Sequence, residues 1–470
     1  MLRLPLLARP SRRRLVGASL VAAAASLAVP RDGAAQVVRG GTGWLYVWAT
    51  AVDTARSDTA RSTGAPVDSA ARPRRRGVFL AAVDLRDGSP TRGHVVRAVL
   101  AADTAARGAH HTEHALADDG MLFANDFGAG RTYRFDLRTP GAPRLLGDFT
   151  TAGPFAYPHS FVRLANGHVL ATYQGGASGR PPGGLVELRR DGTAMRWTRA
   201  ATAGVDSTML QPYSLEVIPA LDRVVTTSTS MREDVGVHVQ VWRLSDLALL
   251  HTLEIPPAPP ADATAATQAE HAEPAEPAEH AAHALPGETA HGGARHLFPG
   301  EPRVLADGRT VMFGTFTCGF YRLTGLDGAQ PTLAFVRAFP GKDCAVPARV
   351  GRWWVQTVPA LHALVALDVG DPAAPREVST LAFDGAVAPH WLAADATGRR
   401  LVMDGGSPAD PRLHLATLDA RTGALAPDAA VPTVDLSHVD VPGLGVVRAV
   451  PHGAVFGPAA PAAPAAPAAP

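Results

Sequence analysis

From residue 110 to residue 456 the chain repeats one arrangement of apolar and polar positions. A loop carrying Pro or His leads into a short alternating run, then a Gly turn, then a second short run. The clearest copy is Pro158-His159-Ser160-Phe161-Val162-Arg163-Leu164, followed by Asn166-Gly167 and by Val169-Leu170-Ala171-Thr172. Alternation over four to eight residues, bounded by Gly and polar turn residues, marks short β-strands joined as hairpins. Further copies begin at His110-His111-Thr112, Pro212-Tyr213-Ser214, Pro299-Gly300-Glu301, Asp343-Cys344 and Pro389-His390-Trp391, and the last, Pro451-His452-Gly453, stops after one strand. Two more alternating segments follow each full copy, as at Leu185 to Leu188 and Met195 to Trp197.

Four strands per unit is the content of a propeller blade. The copies start near residues 111, 159, 213, 300, 344, 390 and 452, roughly 44 to 54 apart except across two gaps that hold extra loops. The pattern predicts an all-β chain, a seven-bladed β-propeller over residues 36–456. Its incomplete seventh blade takes three strands from Trp44 to Thr50, Val78 to Leu85 and His94 to Leu100, so that the ring closes with strands from both ends. A β-sandwich built of hairpins is the alternative, but it gives the period and the split unit no role. Residues 53–76 read as a long polar loop within the closing blade. Residues 257–294, rich in Ala, Pro, Glu and His without apolar periodicity, read as a disordered insertion, and residues 457–470, repeating Ala-Ala-Pro, as an extended tail.

Ahead of this lies Arg12-Arg13-Arg14, an Ala-rich apolar run from Leu15 to Val29 and small residues at Gly33, Ala34 and Ala35. Residues 1–35 are expected to be a signal peptide, and Ser11-Arg12-Arg13-Arg14-Leu15-Val16 is similar to a twin-arginine signal. The run is shorter than the ~20 residues needed to span a bilayer, and no later stretch is apolar and long enough. A mature chain without a membrane span, in the periplasm or outside the cell, is expected. Forty-four basic against 43 acidic residues give a net charge of +1, which excludes the strong positive field of a dedicated nucleic-acid binder. The two cysteines, Cys318 and Cys344, are too few for a disulfide scaffold. In an oxidising compartment they could pair; otherwise each is a small buried side chain.

No nucleophile elbow, Walker loop, metalloprotease helix or dinucleotide fingerprint is present. The chemistry has to come from the repeats. Residues at the start of each innermost strand face the central channel, so equivalent positions converge in space. His111, His159, His390 and His452 hold that position in blades one, two, six and seven, which adjoin around a closed ring. Eighteen His in 470 residues would not gather there by chance, even though two of them helped to anchor the alignment. Neutral imidazoles at one channel mouth suit copper, zinc, iron or nickel, and His110 offers a further ligand. Tyr213, Glu301, Asp343 and Cys344 are expected to line the opposing side. His271, His280, His283 and His291 in the insertion could bind metal ions only weakly. His94, His168, His362 and His414 fall in predicted strands as surface or packing residues.

The chain also resembles the selenium-binding protein family, whose bacterial members include copper-dependent methanethiol oxidases. The resemblance rests on Val83-Asp84-Leu85 with Ser89-Pro90, on His110-His111, and on Asp136-Leu137 with Ala142-Pro143-Arg144. Pro158-His159-Ser160, Asp368-Val369-Gly370-Asp371-Pro372 and Pro451-His452 extend it. It implies a seven-bladed propeller with copper on His110, His111, His159 and His452, and a small thiol oxidised by oxygen to an aldehyde, sulfide and peroxide. The family's Cys pair shortly after the double histidine is replaced here by Glu113, His114 and Ala115, which removes that route to selenium. A non-catalytic propeller that binds a protein or small ligand, with a structural metal or none, is the competing expectation.

Overall fold

Two kinds of strand are distinguished by their burial. Trp353–Val358 and Ala363–Asp368 are buried along their whole length, whereas Arg144–Phe149 and Ala194–Arg199 alternate between more and less exposed positions. Fully buried strands read as near-continuous apolar runs because both of their faces are packed. The computed structural model, which describes residues 43–53, 75–232, 235–259, 296–385 and 387–457, assembles these strands into seven antiparallel sheets. The sheets are the blades of a seven-bladed β-propeller. The expected signal peptide, the insertion with its four histidines and the carboxyl-terminal tail lie outside the described residues. No helix among the described residues is long and apolar enough to cross a membrane.

The core is divided into layers between blades. Successive side chains of a strand point to opposite faces, so Tyr46 and Trp48 pack toward Leu122 and Tyr133 of the first blade while Leu45 and Val47 pack toward Trp391 and Val402 of the sixth. Five further layers of the same kind join the remaining neighbours around the ring. Within a blade, the turn after the first strand needs one residue in the left-handed region. Gly167 supplies it in the second blade at φ 79° and Asp222, a residue type that also accepts this conformation, in the third at φ 55°.

Closure is as the split repeat predicts. Gly445–Phe456 pairs antiparallel with Trp44–Val52, which continues into Arg75–Asp84 and Val95–Ala102, and the short strand Val439–Val441 adds a fifth member. The first blade departs from the four-strand expectation. Its sheet holds Met121–Asp126, Arg131–Asp136 and Arg144–Phe149, and the segment carrying His110 and His111 runs beside the first of these as an isolated bridge, Thr112 to Ala124, instead of a full strand. Backbone bonds from His110 to Asn125, from Asn125 to His111 and from Glu113 to Phe123 hold the segment against Met121–Asp126.

Candidate metal centre

The Pro-x-x motif at Pro158, Pro212, Pro299 and Pro451 has a structural counterpart. Pairing of the first two strands shifts register between Pro158 and Phe161, between Pro212 and Leu215 and between Pro299 and Pro302. The closing strand shifts where Pro451 and Ala454 face Ala49 and Val47. Such bulges re-aim the extra residues, here His159, Tyr213, Glu301 and His452. His110, His111 and His390 reach the same place from non-strand segments just ahead of their blades.

The five histidines come together. His110, His111 and His159 form one triad and His111, His390 and His452 a second; within each, one ring nitrogen per residue lies within 4.8 Å of the others. The rings of His110 and His111 stack at 4.0 Å, and His159 stands edge-on to both at 4.8 and 4.6 Å. His452 lies 4.7 Å from His110 and 4.7 Å from His390.

Two buried residues hold these segments in register. Asn125 accepts the His111 amide through Oδ1 at 2.7 Å and donates through Nδ2 to the carbonyls of Pro158 (2.7 Å) and His159 (2.8 Å). Asp404 receives the Gly453 amide on its carboxylate at 3.1 Å, while its backbone carbonyl accepts the His390 amide at 2.9 Å. Each therefore joins histidine-bearing segments of adjacent blades. The sequence reading passed over both. Their signal was that they close the second strand of their repeats, in Phe123-Ala124-Asn125-Asp126 and Val402-Met403-Asp404-Gly405.

Burial makes these imidazoles neutral donors. It pushes His159 down to about 3 and His390 to about 4. It also pushes His110, His111 and His452 well below the usual histidine range, and repulsion among the rings acts in the same direction. Nδ1 of His110, both nitrogens of His111, and Nε2 of His159 and His452 are buried without a hydrogen-bond partner. A buried polar atom left unsatisfied costs roughly 1–3 kcal/mol. Converging bare imidazole nitrogens of this kind fit a d-block cation, which would satisfy several at once.

Two of the four residues expected opposite the histidines are beside them. Tyr213 lies under His159 at 3.8 Å, a phenol whose ionisation burial and Glu301 push well above 10. Glu301 lies 3.8 Å from His111 and takes hydrogen bonds from the hydroxyls of Ser160 and Ser214. Burial works to raise its carboxyl, but His114 at 3.3 Å and Arg303 at 3.3 Å outweigh it and keep the group ionised. His114 in turn stacks on Trp391 at 4.6 Å.

Asp343 and Cys344 are corrections. Cys344 is bonded to Cys318 within the layer between the fourth and fifth blades and offers no thiolate. Asp343 takes φ 66°, donates its amide to the Phe316 carbonyl and exposes its side chain. His168, in a hairpin turn, pairs with Glu187 at 2.6 Å and joins neither triad. His414 pairs with Asp410 at 2.8 Å, and His94 is exposed. His362, expected in a strand, ends a short turn at φ 47° and binds the Val387 carbonyl.

Among known proteins, no family model and no curated protein matches this chain. Solved structures do. A hypothetical selenium-binding protein from Sulfolobus tokodaii aligns with a TM-score of 0.61 at 13% identity, over 88% of this chain and 93% of that one. A periplasmic gluconolactonase from Pseudomonas aeruginosa aligns with a TM-score of 0.52 at 14% identity, over 88% and 100%. A protein from Lactobacillus plantarum aligns with a TM-score of 0.52 at 11% identity, over 88% and 98%. The likeness is one of fold. A selenium-binding protein and a gluconolactonase share it, so the relation to the selenium-binding proteins is remote.

Proposed function

We propose that this propeller is an exported copper protein that oxidises a small alkyl thiol with oxygen, as the resemblance to methanethiol oxidases implies. The observation that carries the reading is the set of bare, buried nitrogens on His110, His111, His159 and His452, with His390 adjoining. Copper bound there would supply a Lewis-acidic, redox-active position for a thiolate. Phe127 packs against His110 and His159, Tyr213 against His159 and Phe316 against Tyr213, which gives aromatic surface suited to a methyl-sized apolar group. The ionised Glu301, hydrogen-bonded to two hydroxyls and close to His111, favours positive charge at the cluster. Burial and Glu301 keep the phenol of Tyr213 protonated beside the cluster. Export is supported by the Cys318–Cys344 disulfide, which suits an oxidising compartment.

For methanethiol the reaction balances as one thiol, one O2 and one water giving formaldehyde, hydrogen sulfide and hydrogen peroxide; the carbon is oxidised by two electrons and oxygen accepts them. The test is oxygen uptake and sulfide release by copper-loaded protein supplied with methanethiol. His111→Ala and His159→Ala should lose metal and turnover together, whereas His168→Ala should lose neither. Copper held without any thiol-dependent oxygen uptake would discard the oxidase and leave a metal-binding scaffold.

A further inference from the structure

The resemblance assigns copper to four histidines and leaves His390 aside, and the structure gives His390 a place of its own. The two triads share His111 alone, and each has its own fastening. Asn125 ties the His110–His111 segment to the strand of His159, across the first and second blades. Asp404 ties His390 to the strand of His452, across the sixth and seventh.

The second triad also has a backbone turn packed against it. Gly406, at φ 58°, lies over His390 and His452; a Cβ there would stand 3.9 Å from one ring and 4.0 Å from the other. That is ordinary van der Waals contact, so the glycine is required by its backbone conformation and places the turn directly against the two imidazoles. The bare donors point the same way. A catalytic ion of this class takes three protein ligands and keeps a position free, so an ion on His110, His111 and His159 would leave the buried Nε2 of His452 without a partner, which is costly.

We infer that the cluster holds two d-block ions per chain, one on His110, His111 and His159 and one on His390 and His452, adjoining at His111. This rests on the metal-binding reading above and adds a second, separately removable ion to it. The two ions are not equivalent. The first lies among residues that are nearly inaccessible, and the second among half-buried ones, so the second exchanges faster.

The test is metal counting, independent of turnover. Untagged full-length chain, with His271, His280, His283 and His291 changed to Ala so that the insertion cannot contribute, is stripped, saturated with Zn2+ and freed of excess by gel filtration. Zinc per chain is then measured by mass spectrometry, and folding is checked by circular dichroism. Two ions are expected, falling to one in His390→Ala and to one in His159→Ala, with a weak chelator removing one ion quickly and the other slowly. If His390→Ala does not fold, His390→Gln takes its place. One ion in the parent, unchanged by loss of His390, overturns the inference and leaves the metal-binding reading standing. No bound ion defeats both.

Discussion

Asn125 offers a direct test of how the site is held. Its side chain makes three hydrogen bonds of 2.7 to 2.8 Å in a fully buried position, and they link two adjacent blades at the histidines. Asn125→Ala removes all three and leaves the His111 amide and the carbonyls of Pro158 and His159 without those partners. At about 1–3 kcal/mol for each buried group stranded, with water partly refilling the gap, the loss is about 3–6 kcal/mol. That is a large share of the 5–15 kcal/mol typical of a folded domain. Urea unfolding of the metal-free chain measures it. Zinc affinity should fall together with stability, by about 10- to 100-fold, as expected when the partner that orients a ligand is removed. Asn125→Asp keeps the acceptor for His111 but sets a second oxygen against two carbonyls, so it should retain part of the affinity. A variant within 1 kcal/mol of the parent, with zinc affinity unchanged, would refute the reasoning.

Three further outcomes are expected. Because burial holds His159 at about 3 in the folded chain against 6.5 in the unfolded chain, the unfolded state binds the extra proton between those values, so stability falls as pH drops below 6.5. Relative to His159→Gln, the metal-free parent should lose about 1.4 kcal/mol per pH unit between pH 6 and 4; a constant difference across that window contradicts the burial argument. Truncation after Leu444 removes the strand paired with Trp44–Val52 and should give an aggregating or unfolded chain, whereas deletion of residues 459–470 should leave the melting temperature unchanged. Replacing Cys318 and Cys344 by Ser should lower stability by about 3 kcal/mol, as expected for a disulfide closing a sequence separation of 26, and reductant should affect the parent but not the variant.

The sequence made the periodic features legible and hid the local ones. Gly167 and its counterparts announce hairpins because the turn admits few other residues, and the Pro-x-x openings announce bulges because they recur. His390 was found for the same reason. Asn125 and Asp404 escaped notice because an amide or carboxylate at a strand end says nothing of which neighbouring carbonyl or amide it meets; that depends on how adjacent blades seat against each other. Cys344 and Asp343 were placed by counting along the repeat, and there the count fails. The first strand of the fifth blade is only the three residues Ala348–Val350, and the loop before it is drawn toward Cys318.

The seam at which the ring closes also completes the histidine cluster. His452 lies on the final strand, between His110 of the first blade and His390 of the sixth. During synthesis the strand Trp44–Val52 therefore waits, with one edge unpaired, until nearly the whole chain has emerged, and the second triad cannot exist before then. Metal uptake at the second triad, unlike uptake at the first, would thus report on closure of the ring. An ion spanning His111, His390 and His452 would act as a clasp, bridging the blades that must separate for the ring to open.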